Sequence, residues 1–170
     1  MIAVVIIGII AGIAFPRLMR RAPNTEWSHV KEELNDLLSF AREQAITHKE
    51  IYRLTFDAKE AEHKVLVETQ KSDPQKPEKK IYALATSEYF LATYTLPESI
   101  KITAVYKGKQ EQFEANKNVA YSYIIPDGLA EDILVHMKRL DTAEESKASF
   151  KVQPFFGTFE LHDGYLKPEE

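Results

Sequence analysis

The chain has 170 residues and no cysteine, which excludes a disulfide framework, a zinc ribbon and a cysteine nucleophile. Its length suffices for one domain with a substantial core, and 44% hydrophobic and 28% charged residues are ordinary for a folded protein. The formal charge is −4; setting aside Arg17, Arg20 and Arg21 leaves 19 basic against 26 acidic residues, about −7, which argues against a general nucleic-acid binder.

The apolar residues are concentrated at the start. Met1–Phe15 (MIAVVIIGIIAGIAF) holds no polar side chain. Fifteen residues at a helical rise span roughly 22 Å, short of the roughly 30 Å hydrocarbon core. By length alone the run is a signal-peptide core, a shortened transmembrane helix or a buried helix. A signal peptide carries a basic region before its apolar stretch, and none precedes Met1. A small-residue cleavage site nevertheless stands at Gly12-Ile13-Ala14. Gly8 and Gly12 are four apart, so they share one helix face and let a second helix approach closely. Pro16 breaks or kinks a continuing helix, and Arg17, Arg20 and Arg21 close the apolar stretch.

Val4–Leu18 (VVIIGIIAGIAFPRL) resembles the N-terminal segment of type IV pilins and type II secretion pseudopilins, in which a glycine stands eight residues before a proline within an apolar helix, as Gly8 and Pro16 do here. The chain as read from Met1 does not show the basic leader, the phenylalanine exposed by processing and the glutamate that precede this pattern in the family. The expectation is a start about six residues upstream, which lengthens the apolar run to about 21 residues, enough to cross a bilayer. Arginines after the helix would by themselves place that end in the cytoplasm; the family orientation is the opposite.

Pro23-Asn24-Thr25 marks a break, with Asn24 or Thr25 able to cap a second helix. From Glu26 to about His48, Trp27, Val30, Leu34, Leu37, Leu38, Ala41, Ala45 and Ile46 recur at steps of three and four, one apolar stripe in need of a partner surface. The pattern then turns to period two. Ile51–Phe56 and His63–Glu68 read as a hairpin, Lys71–Lys80 as a solvated loop, and Ile81–Ala85, Tyr89–Leu96, Ser99–Tyr106, Val119–Ile125, Ile133–Leu140, Ala148–Gln153 and Thr158–Leu161 as further strands. Pro126-Asp127-Gly128 and Asp163-Gly164 are turns. One long helix followed by many short strands predicts an α+β fold, with the helix packed on a twisted antiparallel β-sheet head.

The tail is similar to the end of H-type pseudopilins and of the related FimT-like minor pilins: Tyr121–Gly128 (YSYIIPDG), an alternating strand, then Gln153-Pro154-Phe155-Phe156-Gly157 and a final strand. Leu34–Ile46 and the strand after it also resemble their passage from helix to sheet.

No catalytic constellation is evident. The five histidines, His29, His48, His63, His136 and His162, form no HExxH pair, and no GxSxG elbow, P-loop or GxGxxG occurs. Asp127 and Asp163 are single turn aspartates, whereas a calcium site needs several converging oxygens. No cofactor, metal or enzymatic activity is expected.

The resemblance implies three parts: a membrane and filament helix over 1–21, an amphipathic stalk helix over 22–49 and a β-rich periplasmic head over 50–170. It implies a single-pass inner-membrane protein and structural minor pseudopilin, assembling into a short periplasmic filament for protein export. Ile6, Ile7, Gly8, Ile9, Gly12, Phe15 and Pro16 would pack against neighbouring helices, and the Gly8–Pro16 stretch would loosen on assembly. Arg17, Arg20 and Arg21 would mark the membrane edge, while Trp27, Val30, Leu34, Leu37, Leu38, Ala41 and Ile46 would hold the stalk to the sheet. The implied partners are other pseudopilins, the inner-membrane secretion platform and exported protein, with no nucleic acid. The alternatives are a type IV pilus minor pilin, including the DNA-uptake type, and a β-domain exported behind an ordinary signal sequence. The DNA-uptake reading relies on a basic C-terminal region, but Phe155–Glu170 has one lysine and four acidic residues.

Overall fold

A computed structural model describes residues 25–72, 78–140 and 146–168. The apolar segment lies outside them, and with it Ile6, Ile7, Gly8, Ile9, Gly12, Phe15, Pro16, Arg17, Arg20 and Arg21. Among the described residues no helix is long and apolar enough to cross a membrane.

Helix α1 covers Thr25–His48, 24 residues with Glu26 in the first turn, where a carboxylate complements the helix dipole. Lys49, at φ 57°, takes the left-handed conformation that turns the chain out of the helix. The stripe of three- and four-residue steps is the buried face: Trp27, Val30, Leu34, Leu37, Leu38, Ala41 and Ala45 are all buried. Each leucine so buried contributes about 1.5–3 kcal/mol.

Among the described residues ten strands follow, and they form two antiparallel sheets. The first sheet has the order β3-β2-β1-β7, from β1 (Tyr52–Asp57), β2 (Lys64–Ser72), β3 (Lys80–Leu84) and β7 (Val119–Ile124), with β4 (Thr93–Thr95) also paired to β2. The second has the order β10-β9-β8-β5-β6, from β5 (Ile100–Lys107), β6 (Gln110–Glu111), β8 (Leu134–Arg139), β9 (Ser146–Gln153) and β10 (Thr158–Asp163). All the pairings are antiparallel. A short helix, α2 (Gln112–Ala115), buries Phe113 between β5 and β7.

The period-two pattern explains what lies inside. Leu54 and Phe56 of β1, Val65 and Val67 of β2, and Ala120 and Ile124 of β7 point to one face of the first sheet, and all are buried. Val135, Met137, Phe150, Val152 and Phe159 do the same in the second. Both faces and the stripe of α1 join one hydrophobic cluster.

Two segments depart from the sequence pattern. Lys71–Lys80, expected as a loop, starts and ends inside strands, because β2 continues to Ser72 and β3 begins at Lys80. Of Tyr89–Leu96, expected as a strand, only Thr93–Thr95 is one. Phe90 instead stacks on Phe40 of α1 (centroids 4.6 Å apart), leaving Tyr89 and Leu91 exposed.

Candidate assembly site

Whatever enters the fold from the N-terminal side does so through α1, so the attachment of this helix decides how the head is carried. Polar bolts supplement the apolar face at three levels. At the N-terminal end, Arg139 Nη1 lies 3.1 Å from Glu26 Oε2 and Ser99 Oγ donates to Glu26 Oε1 at 2.8 Å. Next to them Trp27 Nε1 donates to Ser146 Oγ at 3.1 Å, and its ring meets Phe150 at 6.1 Å between centroids. In the middle, the backbone N–H of Phe159 donates to Asn35 Oδ1 at 2.6 Å, occupying an edge group of β10.

The third bolt is Arg42, near the C-terminal end of α1. Its Nε donates to Gly128 O at 2.7 Å, Nη1 to Phe156 O at 2.8 Å and Nη2 to Phe155 O at 3.4 Å. One guanidinium thus ties the turn after β7 to the β9–β10 turn. Its fixed fork of donors suits carbonyls presented from two loops. Gly157 adopts φ +61°, and a Cβ there would overlap the guanidinium. Only glycine serves both needs.

Asn35 and Arg42, seven residues apart, share one flank of α1. Ile46 lies on the same flank. Expected in the stalk-to-sheet interface, it is 44% exposed, because it sits at the rim of the stripe, over Gly128. The other six expected stalk residues are buried, Trp27 and Leu37 at 2% exposure and the remaining four at 0%. Nothing in the sequence pattern by itself marks Glu26, Asn35 or Arg42 as bolts. The available signal was their position beside an otherwise apolar stripe, but their partners are more than 70 residues away in the chain.

The histidines sit apart. His29 faces Glu33 at 3.8 Å on the exposed helix surface. His63 Nδ1 accepts the N–H of Ile102 at 2.9 Å, and burial, then the Lys101 charge, lowers its pKa against an opposing pull from Asp57. His136 stacks on Tyr165 (centroids 4.4 Å, planes within 3°), with Nε2 3.0 Å from Leu166 O. Burial lowers its pKa too, against the effect of that hydrogen bond. This contact and those of Ser149 with Gly164 O and Leu166 N lay the C-terminal segment across the outer face of the second sheet. Tyr94, beside Glu33 and Glu26, is pushed up to about 12, mainly by burial. Among the described residues no group of three or more His, Asp or Glu side chains is placed to hold a metal ion.

No protein-family model and no curated protein matches the chain. Solved structures do. Two structures of EpsH, the minor pseudopilin of the type II secretion system of Vibrio cholerae, superpose with TM-scores of 0.53 and 0.55. The matches cover 84% and 85% of this chain and 98% and 96% of those chains, at 11% and 15% identity. The chain has the fold of a minor pseudopilin.

Proposed function

We propose that this chain is a structural minor pseudopilin of a type II secretion-like system and not an enzyme. The observation that carries the reading is the match of 84–85% of the chain to the Vibrio cholerae minor pseudopilin fold. It gains support from the apolar Gly8–Pro16 segment, which lies N-terminal to α1 in the sequence.

In this reading the segment resides in the inner membrane as a single pass, with the head in the periplasm. It then packs against neighbouring pilin-type helices through Ile6, Ile7, Gly8, Ile9, Gly12 and Phe15. The role of the head is mechanical. Bolts at Glu26, Asn35 and Arg42 couple it to α1 at three levels, so a displacement of the segment moves the head as one body. The secretion platform and exported protein are the further partners.

Gly8→Leu tests the packing role in cells that assemble the filament. A bulky side chain on the close-approach face should abolish incorporation while leaving the hydrogen-exchange protection of the head unchanged. Incorporation at the normal level would contradict the proposed packing.

A further inference from the structure

The end of the head where α1 stops carries a surface that internal packing does not use. Phe155 and Phe156, in the β9–β10 turn, are 79% and 76% exposed. Around them Ile46, Ile125 and Leu129 are also exposed. From typical side-chain areas the two phenylalanines present on the order of 300 Å². The patch as a whole approaches the largest apolar patches of ordinary monomers, about 300–600 Å². It is also rigid. The Arg42 guanidinium holds both Phe carbonyls, and Gly128 N donates to Ile125 O at 2.8 Å within the adjoining turn. Anchors held in advance lose little freedom on binding.

The same turn borders a groove of about 620 Å³, lined by Lys49, Glu50, Lys71, Lys80 and Pro126 among others. Three lysines against one glutamate make it basic, on a chain whose formal charge is −4. Pro126 adjoins Ile125 of the patch and Lys49 follows the last turn of α1, so the groove and the patch are continuous.

We propose that this pole docks a protein partner through an apolar segment flanked by acidic residues. Phe155 and Phe156 anchor the apolar part, and Lys49, Lys71 and Lys80 face the carboxylates. Charge complementarity selects the acidic partner. The position of the N-terminal segment selects protein over lipid. This second argument rests on the proposed membrane anchoring of residues 1–21, which enter the fold at the opposite end of α1. Twenty-four helical residues separate the two ends by about 36 Å, which holds the pole away from the anchoring bilayer.

The test uses the full chain in detergent micelles. A displayed library of random 12-residue peptides is selected on it, and the enriched peptides are titrated by fluorescence anisotropy. Expected are peptides combining aromatic or aliphatic residues with two or more Asp or Glu. Binding should weaken at least tenfold in a Phe155→Ala/Phe156→Ala double variant, about fivefold in Lys71→Glu/Lys80→Glu, and in both cases without loss of exchange protection in β9 and β10. No enrichment, peptides lacking acidic residues, or unchanged affinity in both variants would overturn the proposal. So would binding of anionic phosphatidylglycerol vesicles by the head, measured as protection of the 153–158 turn. Self-association in sedimentation that disappears in the double Phe variant would assign the patch to a second copy and also overturn it. None of these readouts depends on filament incorporation, so failure here is distinguishable from failure of the pseudopilin reading.

Discussion

Phe150 and Phe159 lie in the same hairpin as Phe155 and Phe156, yet their surroundings are opposite. The first pair is fully buried, at 0% and 1% exposure, while the second is almost entirely in solvent. Side-chain hydrophobicity does not separate them. Phe150 and Phe159 occupy inward positions on β9 and β10, where period two and the stripe of α1 enclose them. Phe155 and Phe156 are held by their backbone: Arg42 binds their carbonyls, which orients the turn and leaves the rings outside. One pair stabilises the fold, and the other is available for contact.

The largest effect should come from the buried pair. Phe150→Ala removes a ring that also meets Trp27 and should cost about 3–5 kcal/mol, read as a loss of hydrogen-exchange protection across β8, β9 and β10 of the full chain in micelles. A cost below about 1 kcal/mol would erase the distinction between the two pairs.

Arg42→Ala comes next. It leaves the carbonyls of Gly128, Phe155 and Phe156 without their donor, for about 1–3 kcal/mol. Exchange should rise first in the 153–158 and 125–129 turns. Gly157→Ala should act in the same direction, since its Cβ displaces the guanidinium. Uniform loosening of the whole head would show that Arg42 supports the core rather than the turns.

A change of pH provides a third comparison, because burial lowers the pKa of His63 and His136 alike. As the pH falls below the ordinary histidine value near 6.5, the unfolded chain takes up these protons first. Stability from the neutral rings is complete above that value and is lost as the pH falls through the folded-state values. The midpoint of thermal unfolding should therefore drop between pH 7 and pH 5, and His136→Asn should flatten part of the slope. At His63, protonation of Nδ1 also breaks the bond from Ile102 N–H. A flat profile would mean that both rings charge freely within the fold.

The smallest effect belongs to the exposed pair. Phe155→Ser and Phe156→Ser should each change stability by less than about 0.5 kcal/mol in the same exchange measurement.

The residues reveal the local pattern more readily than its assembly. The stripe of α1 and the alternating strands β1, β5, β7, β8 and β9 follow directly from the spacing of apolar residues. Division into two sheets does not, since it depends on which distant strands pair, and β5 finds β8 across the intervening β6, α2 and β7. Tyr89–Leu96 alternates like a strand, but the Phe40–Phe90 stack draws its first half onto the helix. Ile46 fits the helical period, although a 24-residue helix has a rim as well as a centre. For the candidate site, the bolts are single polar residues whose meaning resides in partners far along the chain. The segment expected to carry assembly, residues 1–21, is legible only as a pattern, through Gly8, Pro16 and the arginines after them.

The proposed function builds this chain into a filament through its apolar segment. Cross-linking mass spectrometry on the native membranes, followed by intact-mass measurement of the purified protein, tests it most directly. The expected result is a mature protein that retains Val4–Leu18 and is cross-linked near this segment to other pilin-like subunits. A soluble protein whose terminus is Phe15, with no such cross-links, would contradict it.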